Sequence, residues 1–306
     1  MLAQSTFRKS WLYLIGAAAA WGFASAISKR AVEEIPPLTL FPIQLGVSLV
    51  ALATIVILGP TRPERPEGIR TLAWLGVLNP GVAYSFGLVG LTQITASLSV
   101  VLWATEPLLI LGLAVLILKE RIALRVAVAS AAAVGGVLAI ALQSDRDGSL
   151  PGIVLTLLGV LACAFYTIAA KRLLLDTSAL LGLIVQQLAA FTFAVVVLGV
   201  SMVWLDPFPP SQVSGTAWAS AIASGLLYYA VGFWLYLLGL RQTSATTAGS
   251  FLNLIPFFGI AAGFILLRES FTGQEWLGAA LIVGSLTIVL MSQNHDWKAP
   301  LGPARR

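Results

Sequence analysis

A single carboxylate, Glu106, interrupts a long apolar run and is followed directly by Pro107. No other residue between positions 96 and 118 is charged, so a helix through this segment would carry Glu106 near its midpoint. A charge at the centre of a bilayer costs about 2.5–3.5 kcal/mol on insertion scales, and such residues usually face a bundle interior or a wet cavity. Ser99, Trp103 and Glu106 have the spacing of one helical stripe, which predicts a shared inward face.

Two interpretations of Glu106 follow from its burial. In the first, the carboxylate lines a cavity and contacts an amine on a small ligand. In the second, it is a structural carboxyl group, protonated because burial disfavours its charge and hydrogen-bonded to a neighbouring helix. Pro107 suits either interpretation, because a proline inside a helix frees a backbone carbonyl in the turn before it.

A second group of candidate residues consists of aromatic and amide side chains within other apolar runs. A cavity lined by rings with few polar groups suits an amphipathic ligand of aromatic size. Packing in the protein core, or a position facing lipid, is the alternative for each of these side chains. The predicted ligand-binding set is Trp21, Asn79, Tyr84, Ser99, Trp103, Glu106, Tyr166, Tyr229, Phe233 and Asn253.

Other kinds of chemistry lack the residues that they would need. The chain has one cysteine, Cys163, in an apolar run, and one histidine, His295, near the C-terminus. Its sequence contains no P-loop, zinc-ligand motif, nucleophile elbow or paired aspartate motif. We therefore expect no catalytic residue, no metal and no cofactor. A membrane-embedded enzyme is the non-transport alternative, and it would need more polar residues at one membrane face.

The composition of the chain is that of an all-α integral membrane protein. Of its 306 residues 58% are hydrophobic and only 10% are charged, against about 25% charged in soluble domains. The mean hydropathy is +0.92. Charge-poor runs of the length that crosses a bilayer predict ten transmembrane helices. They cover approximately 11–28, 38–58, 72–91, 95–118, 124–142, 151–170, 178–204, 216–238, 244–267 and 272–292.

The two halves of the chain repeat one another. With the segment that starts at Gly90 placed over the one that starts at Gly239, Pro107 meets Pro256 and Glu120 meets Glu269, an offset of 149 residues. Glu106 meets Ile255, so the repeat itself does not require that acid. Earlier positions match at an offset of 142, as between Gln44 and Gln186. Because the first span belongs to this repeat, we expect it to be retained, although its start imitates a cleavable secretion signal.

Five spans in each half force the second half to insert upside down relative to the first, which is the architecture of secondary transporters. With both termini in the cytoplasm, fourteen of the eighteen Lys and Arg residues lie on the inner side. The four outer ones are Lys29, Arg30, Arg146 and Arg268. The predicted units are a cytoplasmic N-terminus (1–10), repeat one (11–142), an external linker (143–150), repeat two (151–292) and a cytoplasmic tail (293–306).

These motifs resemble the drug/metabolite transporter superfamily, and specifically proteins with two EamA-type repeats. The resemblance rests on Glu106-Pro107, Leu118-Lys119-Glu120 and Gly135-Gly136, and on Pro256, Leu267-Arg268-Glu269 and Gly284 in the second half. Within the superfamily the chain looks most like the bacterial YddG exporters of aromatic amino acids. We predict that Glu120 and Glu269 form ion pairs at helix ends with Lys119 and Arg268.

The resemblance implies ten helices around a central cavity, with spans five and ten at the periphery and a site near the bilayer midplane. It implies export of aromatic or large neutral amino acids across a bacterial inner membrane by alternating access. Export of other metabolites or drugs, including threonine, methionine or cationic toxins, is the alternative. The expected partners are an amino-acid-like small molecule and the lipid bilayer, with a homodimer left open and no nucleic acid.

Overall fold

The computed structural model describes residues 2–59, 68–91, 93–94, 102–103, 105–141, 149–173, 178–202, 212–267 and 273–296. The α-helices, numbered in chain order, are α1 Leu2–Val32, α2 Pro37–Leu58, α3 Ile69–Gly76, α4 Ala83–Leu91, α5 Glu106–Leu113, α6 Leu124–Ala141, α7 Leu150–Leu173, α8 Ala179–Ser201, α9 Gly215–Gly225, α10 Phe233–Gln242, α11 Ala245–Leu252, α12 Leu254–Leu267 and α13 Gly273–Asp296. Three π-helical segments, Val77–Val82, Ala114–Leu118 and Leu226–Gly232, continue α3, α5 and α9.

The helices follow the predicted spans closely. Six are long and apolar enough to cross a membrane by length and composition: Lys9–Val32, Pro37–Leu58, Ile69–Gly90, Leu150–Leu173, Ala179–Ser201 and Gly215–Gln242. Shorter apolar helices cover Glu106–Leu118, Leu124–Gly136 and Trp276–Ser285. The chain is thus a helical, multi-pass membrane protein, and the full count of ten crossings stays a prediction.

Two pairs of spans are broken at equivalent positions in the two halves. The third and eighth spans contain the π segments Val77–Val82 and Leu226–Gly232, whose starts are 149 residues apart. In the first of these segments Asn79 leaves the helical conformation, with φ −146° and ψ 121°. Pro80 accounts for this break because it lacks an N–H and clashes with the preceding turn. Tyr229 occupies the equivalent position in the second half, so that π segment forms without a proline.

The fourth and ninth spans are broken just before Pro107 and Pro256. Helix α5 begins at Glu106 with Thr105 as its N-cap residue, and α12 begins one residue after Asn253. The expectation of one continuous helix with Glu106 at its midpoint is therefore wrong. Glu106 lies in the first turn of a helix, where its carboxylate also faces the positive end of the helix dipole.

The two halves exchange their first helices. Helix α1 packs mainly on α9, the π segment Leu226–Gly232, α10 and α12 of the second half, and only slightly on α11 and α2. In the reciprocal arrangement, α7 packs on α4 and α5 of the first half. Helices α2 and α8 pack on each other and, respectively, on α9 and α3. The core of the bundle is therefore built from both repeats.

Two glycine crossings bring further helices of the two halves together. A Cβ atom on Gly76 would lie 1.8 Å from the carbonyl oxygen of Gln186, and one on Gly225 would lie 2.9 Å from the backbone of Gln44. Gly76 and Gly225 are repeat equivalents, as are Gln186 and Gln44. Only glycine permits so close an approach of two backbones. These positions bring α3 onto α8 and α9 onto α2.

Helices α6 and α13 form a separate pair on the outside of the bundle. Their backbones meet at Gly136, where a Cβ atom would lie 2.8 Å from the carbonyl oxygen of Gly278. Both helices leave large apolar side chains exposed, among them Leu124 and Trp276. Such side chains are stable when they face lipid, as the predicted peripheral position of these two spans requires.

Acidic side chains cap helices at both ends of the bundle. At the end where α1 terminates, the Glu34 carboxylate accepts hydrogen bonds from the backbone N–H (2.6 Å) and the Oγ (2.7 Å) of Ser214, the N-cap residue of α9. These bonds favour the ionised form and lower the pKa of Glu34 below its ordinary value.

At the opposite end, Glu120 accepts from the backbone N–H groups of Ala245 (2.9 Å) and Thr246 (3.3 Å) and from the Thr246 hydroxyl (2.6 Å). Within the described residues it forms no ion pair with Lys119, whose side chain is exposed, so the predicted pairing of these two neighbours is wrong. The carboxylate instead accepts hydrogen bonds from backbone N–H groups at the start of α11, which have no partner within that helix. Glu269 and Arg268 lie outside the described residues.

Candidate functional site

Nine aromatic rings from both halves of the chain meet in the centre of the bundle. Tyr84 lies 5.6 Å from Tyr228, 6.0 Å from Tyr229 and 5.9 Å from Trp103, measured between ring centroids. Phe233 lies 5.4 Å from Trp21 and 6.1 Å from Tyr229. We call this set the aromatic cluster; its members are Trp21, Phe41, Tyr84, Trp103, Tyr166, Tyr228, Tyr229, Phe233 and Tyr236.

The π segment of the eighth span positions the cluster. Its widened turns leave backbone carbonyl groups free to accept hydrogen bonds from side chains on other helices. The indole Nε1 of Trp21 donates to the Tyr228 carbonyl oxygen at 3.0 Å, and the Gln187 amide donates to the Tyr229 carbonyl oxygen. Ser48 in turn donates to Gln187 Oε1 at 2.6 Å. Side chains from α1, α2 and α8 thus hold the two tyrosines in place.

Hydroxyl groups give the cluster a polar side as well as an apolar one. The Tyr84 hydroxyl donates to the Tyr228 hydroxyl at 3.1 Å, and this bond joins the third span to the eighth. The Tyr166 hydroxyl donates to Gln186 Oε1 at 2.8 Å. Such rings can contact an apolar ligand with their faces and a polar group with their hydroxyls.

Glu106 lies next to this cluster. Its carboxylate is close enough for an electrostatic interaction with Tyr228, Tyr236 and Cys163. Among the described residues no hydrogen bond or ion pair to its carboxylate is found, and the side chain is only partly buried. The structural interpretation required a hydrogen bond from a neighbouring helix. No such bond is seen within the described residues, and the choice between the two interpretations of Glu106 stays a prediction.

The structure brings most of the predicted site residues together. Trp21, Tyr84, Trp103, Tyr166, Tyr229 and Phe233 belong to the aromatic cluster, and Glu106 lies beside it. Ser99 lies outside the described residues. Whether these side chains bind a substrate stays a prediction.

Asn79 and Asn253 are buried at the helix breaks of the third and ninth spans, and ring contacts do not join them to the cluster. The Asn253 amide donates to the Ser250 carbonyl oxygen at 3.2 Å. The Oδ1 atoms of both asparagines have no hydrogen-bond partner among the described residues. Within the described residues, no hydrogen bond joins these two asparagines to the aromatic cluster.

The predicted set lacks residues that the structure places at the cluster. Phe41 stacks on Tyr84, with ring centroids 6.2 Å apart, and lies 5.9 Å from Tyr229 at a tilt. Tyr228 and Tyr236 complete the ring contacts. Gln186 and Gln187 form its polar border. The glutamines could have been identified from the sequence, because two adjacent amides in an apolar span are costly unless they have partners.

A separate groove of about 690 Å³ lies on the side of the bundle between α2, α8 and the eighth span. Its lining is apolar except for Thr39. None of the predicted site residues lines it. Its composition fits a surface that faces lipid chains.

The helices and their apolar exterior define the chain as a multi-pass membrane protein, and comparison with known proteins gives its class. The model of the EamA-like transporter family matches residues 8–142 and again residues 150–291. The chain therefore belongs to the EamA-like transporter family.

Curated relatives are similar over nearly the whole chain. An uncharacterized transporter of Archaeoglobus fulgidus is 25% identical over 289 residues, which is 92% of this chain and 99% of the relative. The uncharacterized inner membrane transporter YedA of Escherichia coli is 25% identical over 286 residues, 92% of this chain and 89% of YedA. A protein of known crystal structure matches with a TM-score of 0.79 at 14% identity, covering 94% of this chain and 98% of that one.

These comparisons support a membrane transporter rather than an enzyme. The names of the two relatives give no substrate, and the structural match at 14% identity shows the fold alone. The narrower resemblance to aromatic amino acid exporters therefore stays a hypothesis.

Proposed function

We propose that this chain is a secondary transporter that exports small amphipathic amines, above all aromatic or large neutral amino acids, across a bacterial inner membrane. The observation that carries the proposal is a carboxylate without a described partner, Glu106, beside nine aromatic rings. Rings can cover an apolar or aromatic side chain. A carboxylate in a low-dielectric site attracts an ammonium group more strongly than it would in water.

The arrangement of the two halves supports alternating access. The cluster takes rings from α1 and the second span, and from the third, fourth, sixth and eighth spans, so a motion of one repeat against the other would change the site. Helix breaks beside Pro107 and Pro256 give the fourth and ninth spans two segments each. Broken helices at a repeat interface are a common feature of transporter binding sites.

The alternative substrates are amines that lack a carboxylate, such as cationic toxins. One observation favours them: no Lys or Arg side chain is found near the aromatic cluster among the described residues. A cation can also bind over an aromatic face. Amino acids and simple amines must therefore be compared directly.

A counterflow assay in proteoliposomes tests the proposal. Vesicles loaded with unlabelled L-phenylalanine, L-tryptophan, L-threonine or L-methionine should accumulate the same labelled amino acid faster than protein-free vesicles do. Phenethylamine serves as the amine without a carboxylate. If none of these compounds is exchanged faster than in protein-free vesicles, the proposed substrate class is wrong.

A further inference from the structure

We infer that the side-chain amide of Gln186 is a specificity-determining group that donates a hydrogen bond to an oxygen of the substrate, the carboxylate oxygen in the case of an amino acid. This inference rests on the proposed function and adds to it the partner for the acidic end of the substrate. Glu106 supplies a partner only for the amine.

The first observation is that the side-chain N–H group of Gln186 has no described hydrogen-bond acceptor. Gln186 is 1% exposed, and its Oε1 accepts from the Tyr166 hydroxyl at 2.8 Å. Its Nε2 is buried and has no hydrogen-bond acceptor among the described residues. A buried amide donor in a membrane protein is costly to leave unpaired, so its persistence calls for an explanation.

The repeat supplies the second observation. Gln44, the equivalent residue of the first half, donates from its Nε2 to Ser28 Oγ at 3.0 Å and to Ser224 Oγ at 2.7 Å. In the first half, two serine hydroxyls therefore accept the hydrogen bonds that the amide at this position donates. At the second position those serines are replaced by Ala170 and Leu75, and both are buried.

The location of the orphan donor is the third observation. Tyr166 joins Gln186 to the aromatic cluster, because its ring lies 6.3 Å from Phe233. The backbone of Gln186 is fixed where α3 crosses α8 at Gly76. The amide therefore belongs to a close crossing of the two repeats at the border of the proposed site, and the described part of the chain offers its Nε2 no acceptor.

The experiment compares L-phenylalanine with phenethylamine, which keeps the ring and the amine but lacks the carboxylate. The test variant is the double substitution Gln186→Leu with Tyr166→Phe. Removing both hydrogen-bond partners leaves neither one buried and unsatisfied, so the bundle should still fold. Two variants serve as controls: Tyr166→Phe alone, which keeps the amide, and Gln44→Leu, which removes the equivalent amide of the other half.

The measured quantity is the ratio of counterflow rates for the two compounds. We expect the double variant to lower the ratio of phenylalanine to phenethylamine about tenfold, the size expected for a hydrogen bond to a charged group. Gln44→Leu should keep the ratio of the unsubstituted protein within about twofold. Tyr166→Phe removes a hydroxyl of the proposed site, so it measures the part of the fall that is due to that hydroxyl and not to the amide. A ratio that falls as far in Gln44→Leu, or that does not fall in the double variant, overturns the inference and leaves the proposed function standing.

A second variant covers the case in which the double variant does not fold. Gln186→Met keeps nearly the same length and a weak acceptor for the Tyr166 hydroxyl, but it has no hydrogen-bond donor. It should lower the same ratio about tenfold. An unchanged ratio in this variant contradicts the inference. If the unsubstituted protein exchanges neither compound, the proposed function fails and the inference fails with it.

Discussion

Glu106 shows how far a single residue could be understood from the sequence. Its position in an apolar run predicts an inward-facing carboxylate, and the structure places Glu106 near Tyr228 and Tyr236 of the aromatic cluster. The sequence does not show that the helix breaks at Thr105, because a proline is compatible both with a kinked helix and with a new helix start. The contact between Phe41 and Tyr229 was also unpredictable, since the two rings come from different halves of the chain.

At this scale we predict that Glu106→Gln abolishes most transport without unfolding the protein. The substitution keeps the size of the side chain and removes the charge that attracts an ammonium group, so the exchange of phenylalanine should fall at least about tenfold. Because no described residue bonds to the carboxylate, thermal stability in detergent should not fall. Counterflow and a melting curve on the same preparation measure both effects. Loss of folding together with flux would favour the structural interpretation of Glu106.

At the scale of elements, the positions of the helices agree with the apolar runs, whereas their breaks and partners do not follow from hydropathy. Pro80, Pro107 and Pro256 mark three breaks, but the π segment that contains Tyr229 has no proline from which it could be predicted. The partner of Glu120 was mispredicted for a related reason. A glutamate at a helix end can pair with its sequence neighbour or cap another helix, and only the packing of α5 and α11 decides between them.

We predict that Gly76→Ala prevents the close crossing of α3 and α8. The added methyl group would lie 1.8 Å from the Gln186 carbonyl oxygen, so the two helices would have to separate. Severe loss of folded protein is expected, measured by size-exclusion chromatography and thermal unfolding. Gly199→Ala is the matched control, because nothing lies within 4 Å of a Cβ atom there. It should stabilise α8 slightly, by about 0.5–1 kcal/mol.

A second prediction concerns the cap of α11. Glu120→Ala removes the acceptor for the Ala245 and Thr246 donors, and loss of a helix cap costs about 0.5–2 kcal/mol. The expected result is a lower melting temperature in detergent. Lys119→Ala, one residue earlier and exposed, should leave the melting temperature nearly unchanged. Equal losses in the two variants would show that the cap does not stabilise the protein.

At the scale of the whole molecule, the repeat was visible in the sequence and the exchange of helices between the halves was not. Matching positions such as Gly76 and Gly225 indicate that the two halves have the same fold. They do not reveal that each glycine contacts the opposite unit, because a sequence alignment compares equivalent positions rather than neighbours in space.

The predicted topology has its own test. Cysteine-accessibility labelling should place residues near both termini on the same, cytoplasmic face of the membrane, and residues near position 146 on the other face. Cys163 is buried and should react slowly, so it provides the background value. Labelling of the two termini from opposite faces would exclude two inverted repeats of five spans each.

The position of α1 has a consequence for how the chain can be divided. Leu14, Ala17 and Trp21 on this helix are buried mainly by the second half, so a fragment that ends at residue 142 would expose them in the bilayer. Each fragment alone should be degraded in the cell. Two fragments produced together should recover a working protein, because each supplies the surface that the other lacks. Each repeat is therefore expected to need the other as a folding partner in the bilayer.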